Sequence, residues 1–186
     1  MTSSASTAPV SLLHPLDVLY REAGRGLPWH EAVPPESIPE PMRGLLAHNR
    51  DMTSTLEQYH GDGIHLRVLS LGNDARSLRR EVVLCRDRDG VPVEFGATLA
   101  WLDEFEEPWR SEIVASRRPL GGILNASGKP YTSRPSAFLR IRPDGFLRLA
   151  LGFIGDPDLY GRQNTLRTPE GRVIASILEI LPPPTA

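Results

Sequence analysis

Two arginines stand directly ahead of an apolar run in LRREVVLCRDRDGVPVEFG, residues 78–96. A strand points neighbouring side chains to opposite faces, so Arg80 shares a face with Val82 and Leu84, while Arg79 shares one with Val83. The run is apolar on both faces, and its residues do not say which side is wetter. A guanidinium stays charged at any ordinary pH, and burying it without a partner is costly. Arg80 therefore calls for a carboxylate elsewhere in the chain or for a pocket that takes an anion. Its planar fork suits a carboxylate held by two parallel hydrogen bonds.

Other chemistry finds little support. Histidines 14, 30, 48, 60 and 65 never fall at metal-ligand spacing, and HEAVP at 30–34 is not HExxH, so no metal site is expected. G-x-S-x-G is missing. Gly122 to Gly128-Lys129 has five intervening residues where a phosphate loop has four, and Pro130 stands where that loop needs Ser or Thr. Cys85 is the sole cysteine, which excludes an internal disulfide and a cysteine-based zinc site. Lying within a strand-like run, it reads as a small core residue rather than a nucleophile. No cofactor motif is present.

The elements that must position Arg80 are short. Eighteen prolines and sixteen glycines divide a chain of 186 residues, enough for one domain with a sizeable core. Leu12, Leu13, Leu16, Leu19 and Tyr20 repeat at helical spacing, between Pro15 near the start and Gly24 at the end. A Pro-rich linker covers 33–41, and MRGLLAH adds one or two helical turns. Asp51 caps a helix over DMTSTLEQYHG that stops at Gly61. From residue 64 the pattern turns to strands: IHLRVLSL, REVVLCR, VPVEFGATLAWL, AFLRIRP, GFLRLALGF, LYGRQNTLR and GRVIASILEIL. Asp89-Gly90, Asp144-Gly145 and Glu170-Gly171 are hairpin signals. DEFEEPWRSEIVAS and PLGGIL interrupt as helices or turns. The order predicts an α+β domain over residues 11–186 with a mostly antiparallel sheet, preceded by a disordered tail over 1–10.

Charge sets limits on partners. The formal charge is −2 and the basic residues are spread along the chain, so nucleic acid and anionic membrane are not expected partners. No apolar stretch approaches the roughly 20 residues needed to span a bilayer. The small, polar N-terminus is no secretory signal, and the lone cysteine suits a reducing, cytoplasmic setting.

Read in order, four segments resemble the chorismate-lyase-like family, which includes the chorismate pyruvate-lyase of ubiquinone biosynthesis. DMTSTLEQYHG is similar to that enzyme's early helix. LRREVVLCRDRDGVPVEFGATL resembles its Arg-Glu-aliphatic-Cys strand, hairpin and following strand. PLGGIL at 119–124 resembles its Pro-Leu-Gly turn, and DLYGRQNTLRTPEGRVIASILEILP its closing hairpin. The resemblance implies about six antiparallel strands, helices packed on one face, and a buried, flap-covered ligand pocket. It places ligand-holding positions at Met52, Arg80, Leu120 and Glu179. Arg80 would bind a ring carboxylate, helped by backbone amides at Met52 and Leu120, and Glu179 would face the opposite side of the ring.

The implied activity is a cofactor-free carbon–oxygen lyase reaction, elimination of pyruvate from chorismate to 4-hydroxybenzoate. Arg80 would orient the substrate and Glu179 would act as the acid. The implied partner is a small aromatic or cyclohexadienyl carboxylate. The alternatives are an enzyme of the same fold acting on another small carboxylate, and a non-catalytic sensor domain that binds one. Arg80 and Glu179 could also pair with each other and fill the pocket. This sequence departs from the ubiquinone enzyme at Ala97, where that enzyme has a second pocket arginine. Glu94 is nearby but not equivalent. Residues 125–145 are also longer than their counterpart.

Overall fold

A computed structural model describes residues 11–184, so the expected tail over 1–10 lies outside the described residues. Seven antiparallel strands form one sheet: β1 His30–Val33, β2 Ile64–Asn73, β3 Ser77–Arg86, β4 Pro92–Trp101, β5 Thr132–Ile141, β6 Leu159–Arg167 and β7 Val173–Leu181. Their order across the sheet is β1-β5-β6-β7-β4-β3-β2. The α+β class and antiparallel sheet match expectation, with one strand more than the six anticipated. The addition is β1, four residues between prolines that pair with the end of β5, His30 opposite Ile141. A segment so short has too few positions to display alternation.

GFLRLALGF was expected as a strand but is the helix α6, Gly145–Leu151. The Asp144 side chain accepts the Leu147 N–H at 2.8 Å, and Gly152 closes the helix at φ +71°. Leu147, Ala150 and Leu151 are buried at i, i+3 and i+4, while Leu149 is 81% exposed. Alternating apolar residues over so short a run fit either period, and the aspartate cap decided for the helix. The Asp144-Gly145 hairpin signal is therefore a helix start.

Among the described residues there are five more α-helices: α1 Leu16–Glu22, α2 Met42–Leu46, α3 Met52–His60, α4 Trp109–Ala115 and α5 Leu120–Ser127. Helices α1 and α6 bury their apolar stripes on one face of the sheet, against Val83, Cys85, Phe95, Ala97, Leu178 and Ile180. Helices α2 and α3 pack on the other face with Leu84 and Leu181, and α4 and α5 pack there with Leu78, Ala100 and Leu166. Helices thus lie on both faces, and the second face holds the site. Cys85 belongs to the first core, where burial pushes its thiol up, as a packing residue requires.

Candidate functional site

The central strands bring alternate residues to the second face in register. Arg80 of β3 lies opposite Thr98 of β4, which lies opposite Ile177 of β7, which lies opposite Asn164 of β6. One step along, Val82, Gly96, Glu179 and Arg162 form the next row. A further step brings Leu84 opposite Glu94. Gly96 has no side chain, and a Cβ there would stand 3.2 Å from Val82 Cγ2 and 3.4 Å from Glu94 Oε1. The gap above it is the floor of a cavity of about 60 Å³. Met52, Leu84, Leu120 and Ile177 contribute apolar walls, and Arg80, Glu94, Asn164 and Glu179 contribute polar ones.

Arg80, Glu179, Met52 and Leu120 all line this cavity. Met52 opens α3 directly after the cap Asp51, whose side chain accepts the Ser54 N–H at 2.8 Å. Leu120 opens α5 directly after Pro119. The two helix starts are packed together: a Cβ on Gly121 would lie 3.1 Å from the Asp51 Cβ. Asn125 of α5 donates to Asp51 Oδ2 at 3.3 Å. The first N–H groups of a helix have no intrahelical partner and favour an anion. Both helix starts thus border the cavity that Arg80 enters.

Arg80 is only 2% exposed. Its Nη1 and Nη2 reach the Arg118 carbonyl at 3.5 Å, the outer limit of a hydrogen bond, and its Nε has no partner. Among the described residues no carboxylate pairs with it. Burial pulls the guanidinium down to about 10, which leaves it charged at neutral pH. Its neighbour Arg79 faces the opposite side of β3, near Glu22 at 3.5 Å and Asp74 at 3.7 Å. The alternation read from the sequence therefore separated the two arginines correctly.

Glu179 does not meet Arg80. Its Oε2 accepts from Nε of Arg162, the residue opposite it on β6. Arg162 is fully buried, and most of its other donors are engaged as well. Nη1 donates to the carbonyls of Leu46 at 3.1 Å and His48 at 2.9 Å, and Nη2 to that of Arg50 at 3.2 Å. Nη1 also reaches His48 Nδ1 at 3.2 Å, while His48 Nε2 lies 2.7 Å from the Leu45 carbonyl. Together these contacts place the imidazole proton on Nε2. Burial, then the Arg162 charge, hold His48 below the usual histidine range. Arg162 thus ties the α2–α3 connection to the sheet. The sequence carried a signal for it, since Arg162, Asn164 and Leu166 share one strand phase, but nothing there paired it with Glu179.

The second residue missed is Glu94. It is 4% exposed, and its Oε2 has no hydrogen-bond partner among the described residues. Burial, reinforced by the nearby Glu179 and only partly offset by Arg162, raises its carboxyl well above the usual range. Asn164 donates to Ser133 Oγ at 2.8 Å and leaves its own Oδ1 unpartnered. Among the described residues no group of three or more His, Cys, Asp and Glu side chains is placed to hold a metal ion, and no helix there is long and apolar enough to cross a membrane.

No family model matches the sequence, and no curated protein matches it. Solved structures do resemble the fold. The effector domain of PhnF from Mycobacterium smegmatis superposes with a TM-score of 0.54 at 15% identity, over 71% of this chain and 88% of that one. The longer PhnF chain gives 0.53 at 15% identity over 70% of this chain, which spans 63% of its length. YydK from Bacillus subtilis, a possible transcriptional regulator, gives 0.52 at 9% identity over 90% of this chain and 91% of that one. At such identities the likeness shows a shared fold and no chemistry.

The expected lyase activity is overturned: the similar structures described above are an effector domain and a possible transcriptional regulator rather than lyases. Glu179, expected to stand free as an acid, has its carboxyl engaged by a buried guanidinium.

Proposed function

We propose that this chain is a non-catalytic binding domain for a small carboxylate, of the kind a sensor uses to report a metabolite. The observation that carries the reading is Arg80, a guanidinium almost wholly buried, aimed at a cavity and without a carboxylate of its own. A buried unpaired charge is destabilising, and a ligand carboxylate would remove that cost while taking both arms of the fork. The helix starts at Met52 and Leu120 lie beside it, and the first turn of a helix favours an anion. The similar effector domain of PhnF supports a ligand-binding role for the fold.

Cavity size limits the ligand. About 60 Å³ is well below an ordinary ligand pocket. A short carboxylate needs little more room. A ring-sized one, such as the aromatic or cyclohexadienyl acids that the resemblance implies, needs the lining to move apart. Calorimetric titration with butanoate and with benzoate tests the reading. Saturable binding that Arg80→Met abolishes is the expected result. Binding that survives this substitution would mean that the carboxylate docks elsewhere.

A further inference from the structure

Among the described residues, a carboxyl group whose Oε2 has no hydrogen-bond partner faces the same cavity as an arginine that no carboxylate pairs with. Glu94 lies opposite Leu84 and Thr98 lies opposite Arg80, so the two polar residues are set four strand positions apart. That spacing is roughly 13 Å at about 3.3 Å per residue. Between them on the cavity floor stands Gly96, which contributes no side chain. Val82, Leu84 and Ile177 add apolar walls there, and Glu179, opposite Gly96, is held by Arg162. Arg80 and Glu94 are thus the polar groups at the two ends that lack a charged partner in the fold.

We propose that Glu94 is a specificity-determining residue of this pocket, which reads a neutral hydroxyl or carboxamide at the end of the ligand remote from its carboxylate. The proposal rests on the carboxylate reading above and deepens it.

Charge balance selects a neutral group over an ammonium. Arg162 and Glu179 cancel, and among the described residues the hydrogen bonds of Arg162 go to Glu179, His48 and the carbonyls of Leu46, His48 and Arg50, none to Glu94. Apart from Asp51, whose carboxylate is engaged at the α3 cap by the Ser54 N–H and by Asn125, the cavity then holds the positive charge of Arg80, which one ligand carboxylate neutralises. An ionised Glu94 would place a second carboxylate beside Glu179 in a buried site. The protonated carboxyl, favoured by both burial and Glu179, avoids that repulsion. It offers one donor and one acceptor, the complement of a hydroxyl or an amide. Left empty, it is a buried polar group unsatisfied at Oε2, and such groups are paired in nearly all folded proteins.

The test compares probes that differ only at the far end: butanoate, 4-hydroxybutanoate and 4-aminobutanoate, with benzoate and 4-hydroxybenzoate as the ring pair. Affinities are measured by calorimetry on the full chain, in two buffers of different ionisation enthalpy, so that proton release is counted. The hydroxylated member of a pair should bind roughly tenfold tighter than its parent, the worth of one neutral hydrogen bond. Glu94→Gln, which keeps a donor and an acceptor, should preserve that ratio. Glu94→Leu should bring it to one while the parent acid still binds. Equal affinities within each wild-type pair, or a ratio that survives Glu94→Leu, would overturn the assignment and leave the Arg80 reading standing. Tightest binding of 4-aminobutanoate with release of one proton would overturn the neutral far end. Failure of every probe to bind would overturn the carboxylate reading and this inference with it.

Discussion

Arg162 and Glu179 stand directly opposite each other on β6 and β7 and close on one another through Nε and Oε2, beneath the cavity that Arg80 enters. The buried glutamate and the unpaired arginine therefore belong to different systems. One is a finished structural pair and the other an unfinished binding group. Removing one member of such a pair leaves an uncompensated charge. Arg162→Met should lower unfolding stability by about 3–5 kcal/mol, measured by urea denaturation. The carbonyls of Leu46, His48 and Arg50 also lose their donor, so amide exchange should accelerate first between α2 and α3.

Arg80 should behave in the opposite way. Arg80→Met replaces an unpaired buried charge by an apolar chain of similar length, so it should raise the stability of the unliganded protein by at least about 1 kcal/mol. Arg80→Lys retains the charge and loses the fork. It should weaken carboxylate binding by about 1.5–3 kcal/mol, roughly ten- to hundredfold. Thermal denaturation without ligand and calorimetry with it separate the two effects.

Glu94 makes stability depend on pH with a definite sign. Its folded-state pKa is raised by burial and then by Glu179, so the unfolded chain releases this proton at a lower pH than the native protein does. The contribution is fully present below the ordinary value of 4.5. It is lost progressively as the pH rises from there through the raised folded value. Glu94→Gln removes the effect. The variant should melt higher than wild type at pH 7, with the gap closing as the pH falls toward 4.5. A gap that is constant with pH would mean that Glu94 is charged in the fold.

His48 contributes in the other direction. Burial and the Arg162 guanidinium hold its imidazole below the ordinary 6.5. The stabilisation is complete above 6.5 and is lost as the pH falls through the lowered folded value, because the unfolded chain takes up the proton first. The His48 ring resonances followed by NMR should titrate below pH 6.5. His48→Gln should flatten the stability profile in that window.

Gly96 tests whether the cavity is what the ligand needs. A methyl group at Gly96 would press on Val82 Cγ2 and Glu94 Oε1 at 3.2 and 3.4 Å. The Val82 methyl and the Glu94 carboxyl are side-chain ends that can yield by a few tenths of an ångström. Gly96→Ala should therefore fold with a melting temperature within a few degrees of wild type, yet lose at least roughly tenfold in affinity for any carboxylate that binds. Unchanged affinity would place the ligand outside this cavity.

The sequence by itself determined the α+β class, most of the strands, and the phase that turned Arg80 toward the cavity and Arg79 away from it. These are local matters. Period-two alternation, Asp-Gly and Glu-Gly turns, and the Asp51 cap each act within a few residues, so they can be read without a partner. GFLRLALGF misled because its apolar residues fit both periods, and only the Asp144 cap and burial at 147, 150 and 151 favoured the helix. Partnership was beyond the sequence. Which guanidinium would meet Glu179 depended on the register of β6 against β7, and that register brings Arg162 opposite it. Glu94 was visible as a residue but not as an unpaired one, because burial and the absence of a donor exist only once four strands and two helix starts close around it. An alternating pattern fixes which face a side chain takes; the tertiary structure alone decides what it finds there.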